Sequence, residues 1–172
     1  MLTNHRLPAA LLALALLTVG CGTDATSGPS GRPLFRAAAH VPQGDPTIRK
    51  LDPDLRAALH RATDDARADG VTLVVNSGWR SRAHQQRLFD EAVQKYGSED
   101  EARRYVSTPD VSAHVTGDAV DIGPTDAAEW MSRNGSAYGL CQMFANETWH
   151  YELATTPGGT CPEMLPDSSY RG

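Results

Sequence analysis

The sequence is poor in lysine. Of its 16 basic residues only Lys50 and Lys95 are lysines, the arginines are scattered, and nowhere do they form a block. With a formal net charge of -5 at pH 7, this argues against nucleic acid as the main partner, because phosphate contacts need clustered cations. Long hydrophobic runs are missing as well. The longest, Leu7 to Val19, covers thirteen residues, short of the roughly 20 that a membrane-crossing helix needs. No internal repeat is visible, and 172 residues leave room for one domain. Its 40% hydrophobic and 22% charged content is that of an ordinary soluble globule.

What is present divides the chain into three parts. Residues 1–20 read as an export signal, with His5 and Arg6 ahead of the apolar run. Residues 21–46 are rich in Gly, Ser, Thr, Pro and Ala without an apolar period, which suits a tether. A folded domain is expected over 47–172, with regular structure from about Leu51. Asp52-Pro53 gives a helix cap and first position, and Leu55, Ala58, Leu59, Ala62 and Ala66 recur at helical spacing until Gly70. Val71 to Val75 is the best strand candidate. Ser81 caps a helix through Tyr96, ended by Gly97, and a second helix is expected over residues 98–106, ended by Thr108-Pro109-Asp110. Two short strands about Gly117, a helix from Thr125 or Asp126, strands over 138–144 and 149–153, and an irregular tail beyond Cys161 complete the prediction. Helices early and short strands late point to an α+β fold, with helices packed on a small antiparallel sheet.

The chemistry concentrates in Ser112-Ala-His-Val-Thr-Gly-Asp-Ala-Val-Asp121. A turn at Thr116-Gly117-Asp118 can bring His114 and Asp121 to one point, and Glu147-Thr148-Trp149-His150 offers a third donor. Two imidazoles and a carboxylate suit zinc and leave a fourth position open, as in catalytic sites. A non-haem iron triad uses the same donors and is the alternative metal. Glu147 is the only acidic residue tied by spacing to these donors; Asp118 and Glu152 are the next acidic candidates in sequence. His60 and His84 fall on predicted helices without such spacing, and His5 and His40 fall outside the domain.

At these residues the chain resembles the VanY type of zinc-dependent D-alanyl-D-alanine carboxypeptidases and dipeptidases. The shared blocks are Ser-x-His-x-x-Gly-x-Ala-x-Asp at Ser112 to Asp121, Glu-x-Trp-His at Glu147 to His150, and Ser77-Gly78-Trp79-Arg80-Ser81 with Gln85. The resemblance implies zinc on His114, Asp121 and His150, with Glu147 as general base. It makes Arg80 the group that stabilises a developing oxyanion, where local sequence alone leaves a surface arginine equally open. Gln85 and Ser112 become substrate hydrogen-bonding residues, although either could be a helix or turn residue. The implied substrate is the peptidoglycan stem peptide ending in D-Ala-D-Ala. Dipeptidase, endopeptidase and non-catalytic wall-peptide binding are the alternatives, and a monomer is expected.

Small residues before Cys21 resemble the lipobox of bacterial lipoproteins, with Thr18 in place of the usual leucine; a plain secretory signal cleaved nearby is the alternative. If Cys21 carries lipid and anchors the chain outside the cytoplasmic membrane, Cys141 and Cys161 remain as a pair. A disulfide between them would suit an oxidising compartment, and thiolate donation to the metal is the other use for them.

Overall fold

The fold begins one turn earlier than the sequence suggests. The computed structural model describes residues 44–171, so the signal segment, Cys21 and most of the expected tether lie outside the described residues. Asp45 caps a four-residue helix, α1 (Pro46–Arg49), whose Ile48 is buried in the core. A helix this short carries little apolar periodicity, and the proline-rich lead-in hides it. The Asp52 carboxylate then accepts from the Asp54 and Leu55 N–H groups and opens α2 (Pro53–Ala68), satisfying donors that a helix start leaves unpaired. The predicted face, Leu55, Ala58, Leu59, Ala62 and Ala66, is buried together with Thr63.

The first strand, β1 (Val74–Ser77), lies three residues later than the β-branched run implies. The reason is the exit of α2: Gly70 adopts a left-handed φ of 80° and the Val71 N–H returns to Ala66 O at 2.8 Å, so Val71 still belongs to the helix end. Ser81 and Gly97 bound α3 (Arg82–Tyr96) as predicted, and Ser98 caps α4 (Glu99–Arg103), shorter than expected.

The stretch about Gly117 is not a pair of strands. Its first half is a helical turn, α5 (Ala113–Thr116), and only its second half is a strand, β2 (Ala119–Gly123). Gly117 ends the turn at φ 90°, and a Cβ there would lie 2.6 Å from Lys50 O. Both the left-handed backbone and the close approach require glycine. All five residues of β2 are buried, so no alternation marks it as a strand.

After α6 (Thr125–Asn134), a 3-10 turn over Gly135–Tyr138 occupies the start of the expected strand, which is reduced to β3 (Leu140–Gln142); β4 (His150–Leu153) completes the sheet. The four strands run antiparallel in the order β1-β2-β4-β3. Helices α2 and α6 cover the sheet, placing Leu55, Leu59, Ile122, Trp130, Met131 and Tyr151 in one α+β core. Trp130 donates its indole N–H to Asp69 at 2.8 Å. A separate small cluster, Phe89, Ala92 and Ala102, joins α3 to α4.

Candidate active site

Strand register builds the site. Asp121 on β2 stands opposite His150, the first residue of β4, and opposite Ser77 on β1. Cross-strand partners project from the same face, so Asp121 and His150 converge there, and α5 brings His114 beside them. Asp121 Oδ1 is 3.3 Å from His114 Nε2 and 3.2 Å from His150 Nδ1. The three residues are buried and their donor atoms lie within 4.8 Å of one another.

Each imidazole is fixed from behind. The Nδ1 of His114 donates to Gly78 O at 2.8 Å, leaving Nε2 free to face Asp121. The Nε2 of His150 meets Glu152 Oε1 at 2.8 Å, which aims Nδ1 at Asp121. Tying the rear nitrogen to a carbonyl or carboxylate is how proteins orient metal-ligating histidines. Two nitrogens and one oxygen with an open side match the donor chemistry of a catalytic zinc centre, so these residues fit the ion that the sequence suggests.

Charge is distributed accordingly. Burial would raise the Asp121 carboxyl, yet hydrogen bonds from His114 and His150 hold it well below the usual carboxylate range. Burial pulls His114 below the ordinary imidazole value. Burial also works to lower His150, but bonds to Asp121 and Glu152 outweigh it and raise this group to about 9. The opposing burial of Glu152 is likewise outweighed by His150 and Arg171, which keep its carboxyl low.

Glu147 lies in a turn between Phe144 and His150. Its N–H reaches Phe144 O at 3.3 Å, and the His150 N–H reaches Glu147 O at 3.1 Å. That turn resolves the spacing problem: three residues apart on a strand would face opposite ways, whereas here Glu147 Oε2 comes to 3.9 Å from His150 Nδ1. Burial pushes the Glu147 carboxyl up to about 7. Of the other two acidic candidates, Asp118 is exposed and does not line the cleft, and Glu152 has both oxygens engaged by His150 and Arg171.

Arg80, held by its N–H to His114 O at 2.9 Å, points its guanidinium into the cluster. It donates to Asp121 Oδ2 at 2.6 Å, to Ser77 Oγ at 2.8 Å and to Gln85 Oε1 at 3.2 Å. Gln85 is buried and gives its amide N–H to Ser107 O at 2.8 Å. Ser112 precedes α5 with its side chain making no capping bond, and it faces the cleft. This cleft, of about 460 Å³, runs from the His-Asp-His cluster between Trp149 and Phe144 and on to Leu88, Glu91, Lys95, Tyr96 and Tyr105. His60 and His84, on α2 and α3, do not line it.

The sequence offered Glu152 only as a fallback acidic candidate and not as the carboxylate behind His150, and it did not single out Arg171. Glu152 had a usable signal, since it alternates with His150 on one strand and so shares its face. Arg171 had none, because it arrives from the tail.

Cys141 on β3 and Cys161 are disulfide-bonded, with Sγ atoms 2.03 Å apart. The pairing excludes either thiolate as a metal donor. The closed loop contains Glu147 and His150, and the chain-entropy model gives such a loop about 3 kcal/mol. Replacing both cysteines by alanine is expected to lower unfolding free energy by about that amount in chemical denaturation; an unchanged midpoint and slope would show that the link contributes nothing to stability.

A small α+β domain whose two central strands and adjoining helical turn carry a buried His-Asp-His donor set that could hold a metal ion, with a carboxylate beside it and an open cleft in front, has the arrangement of a hydrolase site. The chain matches the VanY family, described as D-alanyl-D-alanine carboxypeptidase, over residues 48–156, and it belongs to that family of peptidases. A D-alanyl-D-alanine carboxypeptidase of Enterococcus faecalis is 30% identical over 136 residues, which cover 64% of this chain and 51% of that protein; the chain thus spans about half the length of this relative. The fold is similar to that of a mutant of the vancomycin resistance D,D-pentapeptidase VanY from the VanB-type resistance cassette in complex with Zn(II), with a TM-score of 0.56, 28% identity, and coverage of 63% of this chain and 73% of the other. It is also similar to VanYB in complex with D-alanine-D-alanine, with a TM-score of 0.56, 29% identity, and coverage of 59% and 70%.

Proposed function

We propose that the protein is a zinc-dependent D,D-carboxypeptidase that removes the terminal D-alanine from peptidoglycan stem peptides. One observation carries this reading: a carboxylate held near neutrality, Glu147, sits 3.9 Å from His150 at the edge of a three-donor cluster in an open cleft. The D-alanine-D-alanine bound to the VanYB neighbour supports the substrate, and the Zn(II) of the other neighbour supports the metal.

In this mechanism His114, Asp121 and His150 would hold the ion. When bound, zinc supplies Lewis acidity and makes water a nucleophile near neutral pH. Glu147 takes the proton of the attacking water and passes it to the leaving amine. Arg80 offers a fixed cation on the cleft wall, where the peptide oxygen gains negative charge in the tetrahedral transition state. Gln85, expected as a substrate contact, acts through Arg80, since both ends of its amide already meet protein groups. Ser112, which lines the cleft, would offer its hydroxyl to the peptide. Because the cleft continues past these residues to Tyr96 and Tyr105, it suits a longer peptide better than the free dipeptide. Glu147 also weighs against a pure binding protein, which needs no base.

The proposed place of action is outside the cytoplasmic membrane, with lipid on Cys21 and the domain acting as a monomer; the Cys141–Cys161 disulfide supports an oxidising compartment. The test is metal analysis of protein purified without added metal, combined with mass spectrometry of D-alanine release from a pentapeptide ending in D-Ala-D-Ala and from free D-Ala-D-Ala. Near one zinc per chain and faster release from the pentapeptide are expected. Metal-loaded protein that releases no D-alanine from either compound refutes the assignment.

A further inference from the structure

Beyond Cys161 the chain is not a loose tail. The Leu165 N–H donates to Met143 O at 2.9 Å and the Ala145 N–H donates to Leu165 O at 2.8 Å. Ser168 Oγ donates to Arg103 O at 2.6 Å, and Arg104 Nε to Asp167 Oδ2 at 3.2 Å. These bonds carry a final 3-10 turn, Ser168–Arg171, back to the cleft.

There Arg171 grips Glu152 with both arms of its fork: Nη1 donates to Oε1, and Nη2 to Oε2 at 2.8 Å. The two side chains are 22% and 12% exposed, unlike the solvent-bathed pairs that contribute little. Bidentate pairing fixes the plane of the carboxylate as well as its position. The guanidinium also lies 4.9 Å from the centre of the Phe144 ring, and that ring is 5.2 Å from the His150 ring. Glu152 Oε1 in turn holds His150 Nε2 at 2.8 Å. A chain of contacts therefore runs from the end of the tail to the rear of one donor in the cluster.

We propose that Arg171 is a positioning residue for the metal centre: by locking Glu152 it holds the His150 ring in the orientation that presents Nδ1 to the ion. This rests on reading His114, Asp121 and His150 as metal ligands. Without the guanidinium, Glu152 is free to swing toward solvent, His150 loses its rear anchor, and the ring can turn about its own bonds. Arg171 makes no hydrogen bond to any of the three donor atoms and acts only through its neighbours, Glu152 and Phe144. Outer partners of this kind commonly change metal affinity by roughly 10- to 100-fold.

The experiment uses the full chain, stripped of metal and titrated with Zn²⁺ against a chromophoric chelator, with Co²⁺ d–d spectra as a readout of ligand geometry. Arg171→Met keeps an unbranched apolar side chain and removes the fork that lies over Phe144 and grips Glu152; Arg171→Lys keeps a cation within reach of Glu152. Arg171→Met is expected to weaken Zn²⁺ binding about 10-fold or more and to alter the Co²⁺ spectrum, with Arg171→Lys recovering most of the affinity. Three results overturn the proposal: affinity and spectrum like the parent in Arg171→Met, a lowered melting temperature as the sole effect, or a raised KM for peptide with intact metal affinity, which makes Arg171 a substrate contact. Because the titration needs no substrate, failure of the parent protein to release D-alanine counts against the carboxypeptidase reading and leaves this inference to be decided by the metal data.

Discussion

Asp121→Ala is expected to leave the protein without tightly bound metal, the largest single effect that the structure implies. Asp121 is the hub of the cluster: Oδ1 faces both imidazoles and Oδ2 takes the Arg80 guanidinium. Removing it takes away one of three donors and the anion that offsets the cation in the site. It also removes the anionic partner of a largely buried guanidinium, which keeps only its bonds to Ser77 and Gln85, a loss of about 3 kcal/mol at the low end for a broken buried pair. The change therefore acts on stability as well as on metal. Asp121→Asn keeps the side-chain shape, removes the charge, and separates the two effects. Elemental analysis of both variants after dialysis without metal should find far less than one ion per chain, and His114→Ala should behave likewise. Full occupancy in Asp121→Ala and His114→Ala would rule out these residues as ligands.

The second large effect belongs to Glu147. Burial raises its carboxyl to about 7; a cation in the neighbouring cluster would favour the ionised form, which is the form that can accept a proton. Glu147→Gln keeps size and much of the hydrogen bonding but cannot act as a base. It is expected to retain zinc and peptide while losing turnover by at least about 10²-fold, the lower end of what general bases contribute. Loss of zinc in this variant would make Glu147 a ligand. Hydrolysis at the parent rate would place the base elsewhere, and the structure already withholds the role from Glu152, whose oxygens are taken by His150 and Arg171.

Much of this site was legible in the linear chain because its parts are local. Ser81, Asp52 and Gly97 do in the fold what their chemistry predicts, since caps depend on neighbours three or four residues away. The residues Arg80, His114, Asp121, Glu147 and His150 stand in short blocks, and strand register then brings the blocks together. What escaped the sequence depends on longer range. The turn α5 was hidden because four residues show no helical period, whereas β2 after Gly117 lies where the second of the two expected strands was placed. The start of β1 slid because a helix exit consumed residues with strand-forming side chains. Arg171 meets Glu152 across a sequence separation of 19, after the chain has folded back over Phe144, and no local pattern encodes that return.

The disulfide has a topological consequence at the cluster. It closes residues 141–161 into a covalent ring that holds Glu147, His150 and Glu152, while Arg80, His114 and Asp121 belong to the chain outside that ring. The donor set thus straddles a seam, stitched by the β2–β4 ladder and by the Ile122 N–H to Trp149 O bond at 2.8 Å. An ion held by these donors would be gripped from both sides of the seam and would act as a clasp between ring and body. Local opening along β4 and release of such an ion would then be one linked equilibrium, in which free metal at 100 times its dissociation constant would add about 2.7 kcal/mol against opening.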